Sequence, residues 1–146
     1  MVYGRPLPHL PKVRREALTH RSKRVSRSPI IAIVDDDAAV RSGVHSLLRS
    51  AGMQGLTFAA AEDLLQSERL EEFDCIVTDL HMPGMSGIDL QMELARRGCR
   101  QPLIVMTAFP TEAAGARAIA AGARAFLGKP IDPDALLDAI EAATLQ

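Results

Sequence analysis

The residues able to do chemistry in this chain stand where apolar runs stop. Cys75-Ile76-Val77-Thr78 closes on Asp79, and Ile30-Ile31-Ala32-Ile33-Val34 closes on Asp35-Asp36-Asp37. A short apolar run reads as a buried parallel strand, and the residue at its C-terminal end lies where open α/β sheets bind ligands. A lone aspartate there is ordinarily a turn former or a helix cap. Two such strands side by side bring three or four carboxylates together, and these repel one another unless a pKa rises or a cation binds. Hard oxygen donors without a closed cage suit Mg²⁺, which keeps waters and shares its shell with phosphoryl oxygens. The chemistry implied is the holding of a phosphoryl group against Asp79.

Two further runs end in residues that complete such a site. Leu103-Ile104-Val105-Met106 ends in Thr107, and Ala125-Phe126-Leu127-Gly128 ends in Lys129. A hydroxyl donor and an ammonium at the same sheet edge would neutralise phosphoryl oxygens that the metal does not reach. Each residue alone is unremarkable; the four strand ends together are specific.

The elements that must position these groups alternate. After the first strand, Val40, Val44, Leu47, Leu48 and Ala51 recur at helical spacing, with Asp37 as a cap and Gly52 as a stop. A weak strand over 55–59 and a short helix over 61–67 follow. The Asp79 strand leads through a loop punctuated by Pro83, Gly84 and Gly87 into a helix over 88–97. A helix over 111–121 follows the fourth strand, and Gly115 weakens it by roughly 1 kcal/mol relative to alanine. Asp132, Pro133 and Asp134 open the last helix, with Leu136, Leu137, Ile140 and Ala143 on one face. With right-handed crossovers, five strand–helix alternations predict an α/β fold: a doubly wound, five-stranded parallel sheet of order 2-1-3-4-5 with helices on both faces. Its switch point falls between the strands that end in Asp35 and Asp79.

From Ile30 to the C-terminus, about four fifths of the chain, these residues resemble the receiver domain of two-component response regulators, the CheY-like family. The resemblance implies that Asp35 and Asp36 hold Mg²⁺, that Asp79 is the phosphoacceptor and also meets the metal, and that the backbone carbonyl of His81 does so too. It makes Thr107 the switch hydroxyl and Phe126 the switch aromatic. It makes Lys129-Pro130 the lysine followed by a proline whose peptide bond is cis, a form rare outside X-Pro. It further implies a sensor histidine kinase or phosphotransfer protein as the donor. The family pattern is not fully matched: Ile131 stands where an aromatic is frequent, and Ala108-Phe109-Pro110 follows Thr107 in place of a glycine-containing loop. His81 and Phe109 occupy the positions that flank the path of hydrolytic water in this family, so they are expected to shield an acyl phosphate.

Charge divides the chain. Its net charge is −1, yet residues 1–29 hold eight Lys/Arg and one acid, leaving nine Lys/Arg and seventeen acids for residues 30–146. A segment with Pro6, Pro8, Pro11 and the cluster Arg21-Ser22-Lys23-Arg24-Val25-Ser26-Arg27-Ser28 reads as a basic, disordered N-terminal extension ahead of the receiver domain. An electrostatic arm and a short helix around Val13 to Leu18 are the other readings. Tyr3 is its only aromatic, which disfavours base stacking and a nucleic-acid partner. No run is apolar enough to cross a bilayer and no secretory signal is evident, so the expected location is the cytoplasm and no membrane partner is expected. Cys75 and Cys99 lack the spacing of a zinc site.

The sequence thus predicts a stand-alone receiver that catalyses its own aspartyl phosphorylation and dephosphorylation and no other reaction. It would act on an unknown downstream protein or form a homodimer. Three alternatives remain. One is a receiver-fold binding module independent of phosphorylation, and one is a nucleic-acid binder that acts through the basic arm. The third is a haloacid-dehalogenase-type phosphatase, since Asp35-Asp36-Asp37 contains Asp-x-Asp after a strand, with Asp35 as nucleophile and Asp37 as acid; that reading leaves Asp79 idle.

Overall fold

Alternating strands and helices wind into one parallel sheet in the computed structural model, which describes residues 27–145. The strands are β1 (Ile30–Val34), β2 (Gln54–Phe58), β3 (Cys75–Asp79), β4 (Leu103–Thr107) and β5 (Ala125–Gly128), in the order β2-β1-β3-β4-β5. The helices are α1 (Ala38–Ser50), α2 (Ala61–Leu65), α3 (Gly87–Arg96), α4 (Glu112–Ala120) and α5 (Pro133–Thr144). The doubly wound order expected from the alternation is the one observed. Most of the basic extension, including Tyr3 and the segment Val13 to Leu18, lies outside the described residues.

The period-2 geometry of the strands sorts the core onto two faces. Ile31, Ile33, Cys75, Val77, Ile104 and Met106 meet α1 and α5 through Val44, Leu48, Leu136 and Ile140. Ala32, Val34, Ile76, Leu103 and Val105 meet α2, α3 and α4 through Leu64, Leu90, Leu94 and Ala118. Both faces of β3 and β4 are covered, which is why their sequences run apolar without alternation.

Local chemistry sets the helix starts. Asp37 caps α1, accepting from the Ala39 and Val40 amides at 2.8 and 3.3 Å. Ser86 and Asp89 form a reciprocal capping box at 3.1 Å each, which starts α3 at Gly87, one residue before the position expected. Thr111 caps α4 and Asp132 caps α5, with Pro133 in the first turn. The short helix α2 stops at Leu65 and does not reach residue 67. There the Ser67 hydroxyl accepts from the Arg69 amide at 3.1 Å, a local bond that competes with helix continuation, and a 3-10 turn over Leu70–Glu72 follows. The second strand begins one residue earlier than expected, because the Gln54 amide already donates to the Pro29 carbonyl at 2.9 Å.

Candidate functional site

Register places the acids. Val34 pairs with Thr78 and Asp79 with Met106, so Asp35, one residue past β1, is level with Asp79 at the end of β3. Thr107 pairs with Gly128, which puts Lys129 one step beyond on β5. The four tips reach the same edge because the Leu80 amide continues the ladder to the Met106 carbonyl at 2.7 Å and the Lys129 amide to the Thr107 carbonyl at 2.8 Å.

Asp35, Asp36 and Asp79 each offer a carboxylate oxygen within 4.8 Å of the others. Asp35 is fully buried, Asp79 is 6% exposed and Asp36 lies open to solvent. Lys129 Nζ stands 2.8 Å from Asp35 Oδ2 and 3.3 Å from Asp79 Oδ1. The second oxygen of Asp35 accepts from the Asp37 amide at 2.9 Å, and Arg41 Nη1 donates to the Asp35 backbone carbonyl at 2.6 Å. Burial first, then the charge of Asp35 and more weakly that of Asp36, push the Asp79 carboxyl above the usual range; Lys129 offsets part of this. For Lys129 burial works downward, but the hydrogen bond and charge of Asp35, followed by those of Asp79, outweigh it and hold the ammonium above its ordinary value.

Three carboxylates against one ammonium leave two negative charges in a partly closed pocket whose donors are all hard oxygens. That set fits a divalent cation such as Mg²⁺ and not a soft metal. Asp35, Asp36 and Asp79 are the residues that would hold it. Asp37, next in the triplet, is turned into the cap of α1.

The other expected residues lie at or near the ends of β3, β4 and β5. Thr107 is fully buried, and its hydroxyl accepts from the Phe109 amide at 3.1 Å. Phe126, two residues back on β5 from Gly128, is half-buried and lies against Gly115 of α4. The Lys129–Pro130 peptide bond is cis. His81 is exposed beyond β3, and its ring meets that of Phe109 edge-on, with centroids 6.4 Å apart at 67°.

Three further contacts had no reading in the sequence. Arg41 reaches back from α1 to Asp35. Glu62 of α2 accepts from the Met85 amide at 3.2 Å, tying down the loop after His81. At the opposite end of the sheet Asp74 accepts from the Ile30 amide at 2.8 Å and anchors the start of β1. None of the three carries a periodic or motif-like trace.

A five-stranded parallel α/β fold with an acid–lysine pocket at its switch point defines a class of phosphoryl-handling signalling domains. Residues 31–141 match the family model described as the response regulator receiver domain, and the chain belongs to that family. It is 39% identical over 119 residues to Nodulation protein W of Bradyrhizobium diazoefficiens, a match covering 82% of this chain and 52% of that protein. It is 38% identical over 112 residues to the transcriptional regulatory protein FixJ of Azorhizobium caulinodans, covering 77% of this chain and 53% of that one. Among solved structures, the response regulator StyR is 44% identical with a TM-score of 0.72, covering 81% of this chain and 60% of that chain. The FixJ-N crystal structure is 30% identical with a TM-score of 0.74, covering 82% and 96%. The chain spans about half the length of the curated relatives it matches. Receiver domains are signalling modules that bind Mg²⁺ at an acidic cluster and interact with histidine kinases. Among the described residues no helix is long and apolar enough to cross a membrane.

Proposed function

We propose that this domain is a phosphoacceptor switch in which Asp79 takes a phosphoryl group from a phosphohistidine. The donor is a sensor histidine kinase or a phosphotransfer protein in the cytoplasm. An Asp79 carboxylate oxygen attacks phosphorus, a P–O bond forms, and the P–N bond breaks with its electron pair leaving on the imidazole, which takes up a proton. Asp35, Asp36, Asp79 and the His81 carbonyl would hold Mg²⁺, whose positive charge would offset that of the phosphoryl group. Lys129 pairs with one of those oxygens. The Thr107 hydroxyl accepts from Phe109, which leaves its own proton for another. Once Thr107 turns toward the phosphoryl group, Phe126 moves into the space it leaves and the surface of α4 and β5 changes.

The observation that carries this reading is Lys129 bridging Asp35 and Asp79 beside Asp36. It also weighs against Asp35 as a phosphatase nucleophile, because both oxygens of Asp35 are bonded and the residue is fully buried. Relatives named as transcriptional regulatory proteins support an output at transcription. A receiver acting alone draws no support from relatives of about twice this length. Intact-mass analysis after acetyl phosphate tests the proposal. The expected result is a gain of one phosphoryl group that requires Mg²⁺ and is absent in Asp79→Asn. A gain that persists in Asp79→Asn overturns it, and full signalling by Asp79→Asn in place of wild type would favour the phosphorylation-independent module.

A further inference from the structure

Asp35, Asp36 and Asp37 are consecutive, yet three different constraints act on them. Asp35 is buried and bonded through both carboxylate oxygens, to the Asp37 amide at 2.9 Å and to Lys129 at 2.8 Å. Asp37 points into the α1 cap. Asp36 is exposed, so the direction of its carboxylate depends on the backbone that carries it. The peptide group that sets this direction joins Asp35 to Asp36, and its carbonyl oxygen accepts from Arg41 Nη1 at 2.6 Å.

Arg41 stands in the first turn of α1, four residues after the capping Asp37. Helical side chains lean toward the N-terminus of their helix, so a long side chain here reaches back over the cap to the turn before it. The short distance marks a charge-assisted bond, stronger than a neutral one. A guanidinium so placed fixes the orientation of the Asp35–Asp36 peptide and with it the position from which the Asp36 carboxylate meets Asp35 and Asp79.

We propose that Arg41 is a positioning residue of the metal pocket: by gripping the Asp35 carbonyl it holds Asp36 within the carboxylate cluster and so strengthens Mg²⁺ binding there. The inference rests on the reading of this cluster as the metal site of a phosphoacceptor. Two effects oppose each other when Arg41 is replaced. Loss of orientation weakens the site, while loss of a nearby positive charge favours any cation. The second is screened by salt, since the Debye length falls to about 3 Å at 1 M; the first is not.

The test is a Mg²⁺ titration of the full chain in 1 M KCl, followed by the backbone amide NMR signals of residues 35, 36 and 79, for wild type, Arg41→Met and Arg41→Lys. Methionine keeps an aliphatic stem but has no donor; lysine keeps a donor and the charge. Supporters of partner groups on metal ligands typically contribute 10- to 100-fold in affinity. The expected result is therefore Mg²⁺ binding about tenfold weaker in Arg41→Met and recovered in Arg41→Lys to within about threefold of wild type. An affinity in Arg41→Met within about twofold of wild type, or no recovery in Arg41→Lys, overturns the proposal. So does loss of the fold in Arg41→Met, because Arg41 would then serve the scaffold and not the pocket. A wild-type chain with no saturable shifts at residues 35, 36 and 79 overturns instead the metal-site reading beneath it.

Discussion

The Phe126 ring lies directly against Gly115: a Cβ at Gly115 would stand 3.1 Å from Phe126 Cδ2 and 3.3 Å from Cε2. The glycine that looks in sequence like a weak point of α4 is the notch that receives the ring. Replacing it with alanine gains about 1 kcal/mol of helix propensity and crowds a ring that borders an open groove beside Pro110, Ile119 and Gly128. Because the ring can give way, Gly115→Ala is expected to change unfolding free energy by less than about 1 kcal/mol while shifting the Phe126 aromatic NMR signals. Denaturation and NMR of the same sample check this, and unmoved ring signals would contradict it.

Gly87 has no such freedom. A Cβ there would meet the Asp79 backbone oxygen at 2.6 Å and Leu80 Cα at 3.2 Å, both main-chain atoms at the C-terminal end of β3. The Gly87 amide also donates to the Leu80 carbonyl at 2.9 Å, so the loop is bonded where the clash would arise. Gly87→Ala is expected to destabilise by about 1–3 kcal/mol. A lower urea midpoint at unchanged m-value is the readout.

The rings of His81 and Phe109 meet edge-on, and Phe109 is 69% exposed. An exposed phenyl group gains little for the fold, so its effect should fall on the acyl phosphate and not on stability. Phe109→Ala is expected to shorten the phosphorylated lifetime several-fold with little change in unfolding midpoint. The decay of the phosphorylated mass with time measures it, and an unchanged lifetime would remove the shielding role.

Glu93 on α3 accepts from Arg96 Nη2 at 2.6 Å and from Arg97 Nε at 2.7 Å. The hydrogen bonds of Arg96 and then Arg97 pull its carboxyl from an ordinary 4.5 to about 2. A folded-state pKa below the unfolded one means that the pair stabilises fully above pH 4.5 and that this contribution disappears as pH falls from 4.5 through about 2. Exposed pairs contribute little, so the stability gap between wild type and Glu93→Gln should be small at neutral pH and vanish in that acid window. A side-chain carbon NMR titration should find the Glu93 midpoint near 2.

The alternation of strand and helix, the sheet order and the placing of Asp35 and Asp79 at neighbouring strand tips were legible in the chain itself. Buried parallel strands write themselves as unbroken apolar runs, and a polar residue is conspicuous where such a run stops. The C-terminal end of α2 and the start of α3 were less so, because side-chain bonds, from Ser67 or between Ser86 and Asp89, move a boundary.

The division of the three adjacent aspartates, Asp37 to the cap of α1 and Asp36 to Asp35 and Asp79, was already expected and is what the fold shows. Only the tertiary structure decided which side chains reach these groups from elsewhere in the chain. Lys129 meets Asp35 across 94 residues of chain, and Arg41 and Glu62 tie down the segments that follow β1 and β3. Local sequence records what a residue needs from its own element, through periodicity, caps and breakers. It holds no trace of which distant group will lie 3 Å away, since strand register and crossovers set that distance only when the sheet closes.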